Sequence, residues 1–430
     1  MSRSEASAGA ELFETPAPTS LPRLLATAPD PSFDGHFRQW GQVPGGGPLL
    51  IDEVDRAGLR GRGGASFPTG RKLASVADGS AAVVVANGTE AEPLSLKDET
   101  LLSAAPHLVL DGVNIAAETV GAGLAILCIE RGATTTLRSL HRALAERTAA
   151  GADTVEIRVE QVPERYVAGE ESALVHWLNG GDAKPTFVPP RPYQRGVGGR
   201  PTLVNNVETL ANLALIARFG AGWFRSLGTE ADPGSGLVSV LGDVERPGVY
   251  EHALGTPLST VLRPAGAAPS ARFILSGGYA GTWMPIERAA ALTFDRSSFA
   301  SAGAAIGCSS LFVHGGQYCG LATTARIARW MADQSADQCG PCFNGLPALA
   351  EALQALAKGD HRGRWEAQIS RWMEMIPGRG ACHHPDGTVR MIRSALKVFA
   401  DDISAHQKRR SCGLPPAPAP VPQPPGGSWR

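Results

Sequence analysis

Two groups of residues in this chain have the types and spacing to do chemistry. One is a pair of cysteines two residues apart, Cys339 and Cys342, followed after 39 intervening residues by Cys382 with His383 and His384 beside it. Two cysteines so spaced grip a metal or cluster from a single turn, and a third arriving from another helix closes the site. Spacing alone leaves two readings level. One is an iron–sulfur cluster with three thiolates and a non-cysteine fourth ligand. The other is a structural zinc on Cys339, Cys342, Cys382 and His383 or His384. A redox dithiol is set aside, because the pair sits in a helical region without thioredoxin-like strand–helix order. The odd total of seven cysteines argues against a disulfide framework.

The other group is the glycine-rich run from Gly58 to Lys72. Glycines at 61, 63 and 64 let the backbone turn tightly and press against a flat or phosphorylated ligand. Arg60, Arg62, Arg71 and Lys72 add cations that suit a phosphate. This is not the usual dinucleotide fingerprint: Ser66 stands where the last glycine would fall, and Leu49 to Leu59 has helical rather than strand spacing. A nucleotide-type cofactor loop and a tight surface turn both stay open.

These groups need elements to position them. The apolar run Ala81 to Ala86 reads as a buried strand that delivers Asn87, Glu90 and Glu92 at its carboxyl end, where α/β sheets hold ligands. Helices are expected at about 98–118 and 134–149, and strands at 123–129 and 155–159, giving an open α/β layer. Tyr166 to Leu174 places Glu170 and Glu171 after Gly169 and before an apolar helix, where acids also serve as ordinary caps. A loop over 182–201 leads to Asn205 and Asn206, which can cap a helix or offer amides to a ligand. Short strands from 236 suggest a small α+β domain ending near 285. Beyond 317, Ile327, Trp330 and Met331, then Leu346, Leu349, Leu353 and Leu356, then Ile392, Leu396 and Phe399 share faces as in a helical bundle. The alternating prolines after 413 predict an extended, unstructured tail.

At 430 residues the chain has room for several cores, and its net charge of −1 gives no nucleic-acid footprint. No apolar run reaches membrane-spanning length and no secretory signal is visible, so a cytoplasmic protein without a transmembrane segment is expected.

Taken together, these blocks resemble the NADH-binding flavoprotein subunit family of respiratory complex I and its relatives in soluble hydrogenases and formate dehydrogenases. Gly58–Lys72, Asn87–Asp98, Tyr166–Leu174 and Pro201–Asn212 carry the likeness, which runs from about 35 to 402. The block Gly242 to Tyr250 is similar to the family's soluble-ligand-binding (SLBB) β-grasp domain. The resemblance implies a multidomain α/β protein: 1–22 disordered, a Rossmann-like FMN domain over 23–235, a β-grasp domain over 236–290, a helical iron–sulfur domain over 291–405, and a proline-rich disordered tail over 406–430. It implies FMN on Gly61, Arg62, Gly63, Gly64, Lys72, Asn87, Glu90, Tyr166, Gly169, Glu170, Asn205 and Asn206. It further implies a 4Fe-4S cluster on Cys339, Cys342 and Cys382, with Glu92 and Glu171 orienting a two-electron donor such as NAD(H).

The implied function is electron transfer to a ferredoxin-like or other partner subunit, at the periphery of a membrane complex. A non-catalytic scaffold holding zinc is the alternative. Several positions depart from the family pattern. Ala336 replaces the first cluster cysteine, leaving Asp337, His383, His384, water or a partner as fourth ligand. Ser75 and Arg191 stand where adenine-stacking rings are expected, Val188 where a lysine is, and Thr89 where an acid is. Each lost ring removes on the order of 1–3 kcal/mol of base stacking.

Overall fold

Apolar runs bracketed by turn residues assemble the first sheet of the computed structural model, which describes residues 20–77, 81–360, 362–422 and 428–430. Its strands are β1 (Val83–Asn87), β2 (Leu124–Glu130), β3 (Glu156–Val162) and β4 (Thr202–Asn206), all parallel in the order β3-β2-β1-β4. β1 is valine-rich and buried on both faces, as a central parallel strand requires, whereas the edge strand β3 is largely open. The chain adds β2 and β3 on one side of β1 and then returns to place β4 on the other. That reversal opens a crevice at the carboxyl ends of β1 and β4, where Asn87 lies opposite Asn206 and Ala86 opposite Asn205.

The helix expected over 98–118 is two helices, Lys97–Ala104 and Pro106–Val120, bent by 96°. Pro106 sits in the first turn of the second helix, where its missing N–H costs nothing. Pro106–Val120 is almost wholly buried and packs against the buried stretch 207–216 of the helix Val207–Phe224, with Gly112 backed on the Leu210 backbone. No single helix among the described residues is long and apolar enough to cross a membrane.

The second sheet contains β5 (Ser235–Gly242), β6 (Gly248–Ala253), β7 (Ala271–Ser276), β8 (Thr282–Pro285) and β9 (Ser310–Gly315), in the order β6-β5-β9-β7-β8. β5 and β9 pair in parallel and the other pairs are antiparallel. The expected end of this unit near 285–290 is therefore too early, since its central strand arrives from 310–315. Five helices follow, Gly320–Asp333, Leu346–Ala357, Trp365–Met375, His384–Val398 and Ala400–Arg409. Leu346, Leu349, Leu353 and Leu356 are buried as their spacing predicts.

Residues 1–19 of the segment expected to be disordered lie outside the described residues. From residue 23 the chain is anchored: the Glu251 carboxylate accepts N–H groups from Arg23, Leu24 and Leu25, and the Arg23 guanidinium stacks 3.8 Å from the Trp223 ring. The tail departs from expectation. It is extended but docked along the helix Gly320–Asp333, with Ala417 and Ala419 buried. The Pro415 carbonyl accepts from Cys319 N at 2.7 Å, those of Ala417 and Ala419 from Arg326, and that of Pro422 from Trp330 Nε1 at 2.8 Å. A proline-rich strand cannot build its own ladder, but its carbonyls serve any donor the helix offers. Farther on, Trp429 lies with Lys184 Nζ 5.0 Å from its ring, and its carbonyl accepts from Ala183 N at 2.7 Å.

Candidate functional site

The glycine loop stands against the crevice between β1 and β4. It folds on itself through Gly61 N–H to Phe67 O at 2.9 Å and Arg60 Nη1 to Ser66 O at 3.1 Å. The turn reading and the cofactor-loop reading are thus compatible. A Cβ on Gly63 would sit 3.2 Å from Asn206 Cβ; Gly64 has φ +108°, which side chains avoid. The nearest atoms to a Cβ there are backbone atoms of Gly307 and Cys308 at 3.7–3.9 Å, so no side chain crowds that position. Arg62 does not face this space. Its guanidinium is buried and donates to the carbonyls of Pro233 and Ser235 at 3.4 and 3.2 Å, while its N–H goes to Thr209 Oγ1. The cation at the mouth is Lys72, whose Nζ pairs with Glu171 at 3.0 Å; Arg191 Nη1 lies 3.9 Å from the same carboxylate.

The crevice wall is a network of amides. Asn87 donates to Gly169 O at 2.8 Å and accepts from Thr89 Oγ1 at 2.6 Å, so the threonine found in place of an acid serves the asparagine. Asn206 caps the helix Val207–Phe224 through Glu208 N at 3.0 Å and donates to Asp98 Oδ2 at 2.7 Å. Asn205 Nδ2 is buried with no hydrogen-bond partner. A buried donor left free at the carboxyl end of β4 fits a ligand that accepts there, as FMN does through its phosphate and ring.

Glu170 is the N-cap of the helix Glu171–Leu178. Glu90 accepts from Ser95 Oγ and from the N–H groups of Asp98 and Glu99, tying down the start of the helix Lys97–Ala104. Both carboxylates therefore build the wall, and the capping reading holds for Glu170, with Glu171 in the first turn of the same helix.

Sequence reasoning passed over Lys97 and Glu208. The Lys97 ammonium is buried between Asp98 at 2.6 Å and Glu208 at 3.1 Å. Burial opposes its charge, but Asp98, Glu208 and Glu90 outweigh that and hold it above the usual lysine range. The available signal was an adjacent opposite-charge pair, Lys97 and Asp98, at the start of the expected helix. Burial, then repulsion from Asp98, lifts the Glu90 carboxyl to about 7.

Glu92 is pinned between the two sheet units. Its carboxylate accepts from Tyr279 N at 2.9 Å, Tyr166 Oη at 3.0 Å and Leu94 N at 3.2 Å. Burial outweighs these donors and lifts its pKa to about 7 from an ordinary 4.5. Since folding raises the value, its contribution to stability is full below about pH 4.5 and is lost as pH rises through about 7. Glu92→Gln should therefore melt above the parent chain at pH 8, with the gain gone at pH 4.5. Paired thermal melts at the two pH values check this; an equal gain at both would refute it.

Tyr166 joins this crevice to the cysteine site. Its ring lies 5.5 Å from Trp330 and 5.4 Å from His384, and its N–H donates to Gln334 Oε1. Cys339 and Cys342 lie at the turn before the helix Leu346–Ala357. The Cys342 thiol is pushed up to about 12 by burial, then by Cys339 beside it, and also by Cys382. Cys382 in turn feels Glu170 of the crevice wall. The structure thus brings the three cysteines together next to the flavin-type crevice.

Two thiolates on one zinc lie at most about 4.6 Å apart. Among the described residues, three ligand-type groups gather within 4.8 Å only at Cys319, His406 and Cys412. The wider spread of Cys339, Cys342 and Cys382 suits a cluster rather than a single ion. Around them Ala336 is buried, while Asp337 is exposed with φ +54°. The His383 ring faces solvent and pairs with Asp386 at 3.3 Å. His384 is buried, with Nε2 bonded to Met331 O at 2.9 Å and Nδ1 without a partner.

Two family models match the chain: the Nuo51 FMN-binding domain over 54–215, and the NADH-ubiquinone oxidoreductase-F iron-sulfur binding region over 322–406. The NADH-quinone oxidoreductase-F subunit of Mycobacterium tuberculosis (strain H37Rv) is 33% identical over 388 residues, covering 85% of this chain and 86% of that one. The chain belongs to the NADH-quinone oxidoreductase-F family. The Escherichia coli (strain K12) member is 31% identical over 378 residues, covering 84% of each chain. Among solved structures, an NAD+-reducing NiFe hydrogenase in its H2-reduced state superposes with a TM-score of 0.78 at 30% identity. That match covers 84% of this chain but 63% of the hydrogenase chain, less than two thirds of its length. Within the oxidoreductase-F family this member is divergent.

Proposed function

We propose that this oxidoreductase-F homologue is an electron-transfer component that holds FMN at the β1/β4 crevice and a 4Fe-4S cluster on Cys339, Cys342 and Cys382. Bound FMN would accept two electrons from a donor and release them singly, and the cluster would carry single electrons onward. The observation that carries the reading is Tyr166, which bonds Glu92 on the crevice side and packs on His384, two residues from Cys382. Gly61, Gly63 and Gly64 would admit the ring, with Asn87, Asn205 and Asn206 supplying amides and Lys72 a cation. Gly169, Glu170, Glu90 and Tyr166 form the supporting wall, and Arg62 acts from behind the loop. Glu171 stands at the mouth to orient the donor, and Glu92 acts from the buried side.

The strand order of the second sheet, with its central parallel pair, supports reading it as a β-grasp domain of the SLBB type. The five packed helices support an iron–sulfur bundle. The acceptor would be a ferredoxin or partner subunit, and the placement cytoplasmic at the periphery of a membrane complex. Anaerobic purification followed by flavin, iron and sulfide assay tests the proposal: about one flavin and four irons per chain are expected. A preparation lacking both would end it.

NADH binding is predicted to be weak, because Ser75 Oγ bonds back to Lys72 O and Arg191 offers no ring to a base. Arg191→Phe should tighten NADH by about 1–3 kcal/mol, roughly 5- to 150-fold. Anaerobic titration of flavin bleaching measures it, and unchanged affinity would show that the mouth does not receive adenine.

A further inference from the structure

Cys319 is the N-cap of the helix Gly320–Asp333 and is buried, its Sγ accepting from Ala322 N at 3.3 Å. His406, in the last turn of Ala400–Arg409, is also buried, and its Nε2 lies 3.4 Å from Cys319 Sγ. Arg410 adopts φ +68° and turns the chain back, so that Cys412 Sγ comes within 3.3 Å of the same nitrogen. All three ligand atoms lie within 4.8 Å of one another. One imidazole nitrogen facing two thiols is over-supplied for hydrogen bonding, since it can donate to or accept from a single partner well. It is the right arrangement for a metal. Tetrahedral zinc, with Zn–S about 2.3 Å and Zn–N about 2.0–2.1 Å, sets each nitrogen–sulfur pair about 3.6 Å apart. The separations found here need to widen by only a few tenths of an ångström.

We propose that Cys319, His406 and Cys412 hold a mononuclear zinc ion, a metal centre distinct from the cysteine cluster. The 14-residue helix Gly320–Asp333 rises about 21 Å, which places Cys319 and the Cys339/Cys342 turn at opposite ends of it. Binding takes two thiolates and a neutral imidazole and releases the two thiol protons, with no change in oxidation state. The fourth position is left to water or to Asp402, one turn before His406, whose Oδ2 accepts from Gly320 N at 2.6 Å. The ligands come from the first turn of one helix, the last turn of another and the start of the tail. Zinc therefore fastens the tail at its root, three residues before Pro415 bonds to Cys319 N.

The full chain, purified anaerobically, should carry about one zinc in addition to its iron. His406→Gln and Cys412→Ser should each lose that zinc while keeping iron and sulfide. Cobalt exchanged for zinc should give thiolate-to-metal absorption bands that Cys412→Ser abolishes. Trypsin should cut after Arg409 or Arg410 at least several-fold faster in Cys412→Ser than in the parent chain. Any of three results overturns the proposal: no zinc in the parent chain together with no cobalt–thiolate band, zinc retained by both variants, or a Cys319–Cys412 disulfide in the anaerobic preparation. Cys412 is partly exposed, so its serine variant tests the site without opening the core.

Discussion

Cys342→Ser should strip the chain of iron and sulfide, from about four of each to near zero, while flavin absorbance stays. Cys342 is the buried member of the three, and the other two are partly exposed. With Ala336 in the first position, the chain supplies three thiolates where a cluster commonly has four. Losing one leaves two, and a shorter, harder serine oxygen is a poor substitute at an iron that prefers sulfur. The reverse substitution sharpens the test. Ala336→Cys places a thiol in a buried position at the same turn, so iron retention during air exposure should rise and the cluster potential should fall. Iron and sulfide assays with EPR of the reduced protein check both. Iron that survives in Cys342→Ser would mean that the cluster lies elsewhere.

Gly64→Val should cost at least nine-tenths of the bound flavin and leave the iron untouched. At φ +108° a valine is strained by on the order of 1–3 kcal/mol, and its side chain would project toward Gly307 and Cys308, whose backbone a Cβ already approaches to 3.7–3.9 Å. Relief requires the loop to reshape where it faces Asn206. Gly123→Ala is the control: it lies before β2, outside the loop, and its Cβ would meet nothing within 4 Å, so flavin should remain. Absorbance near 450 nm per mole of protein reads both variants. Equal flavin in the two would detach the loop from cofactor binding.

What could be read from the chain alone was what local chemistry determines. The apolar run at 81–86 lies largely in β1, and Asn206 and Glu170 cap helices as their types and places in the chain allow. What escaped depended on distant partners. An arginine in a glycine loop announces charge but not direction, and Arg62 turned inward because the carbonyls of Pro233 and Ser235 await it from another unit. β9 was overlooked because its apolar run is only Leu311, Phe312 and Val313, closed off by His314 and Gly315, and only pairing with β5 and β7 makes it central. The tail was misjudged because proline content reports what a segment cannot do for itself, not what a helix bearing Arg326 and Trp330 can do for it. Cys319 and Cys412 are separated by the whole helical region, so no spacing rule could join them.

Glu92 receiving the Tyr279 N–H, Glu251 receiving three from residues 23–25, and Gln334 receiving that of Tyr166 form cross-ties between the first sheet, the second sheet and the helices. Each would have to break before any part could swing on a hinge. Electron hopping weakens steeply with every ångström, so such immobility keeps the gap between two redox groups constant from one turnover to the next. On that reading, gating would fall to the arriving donor or the departing acceptor.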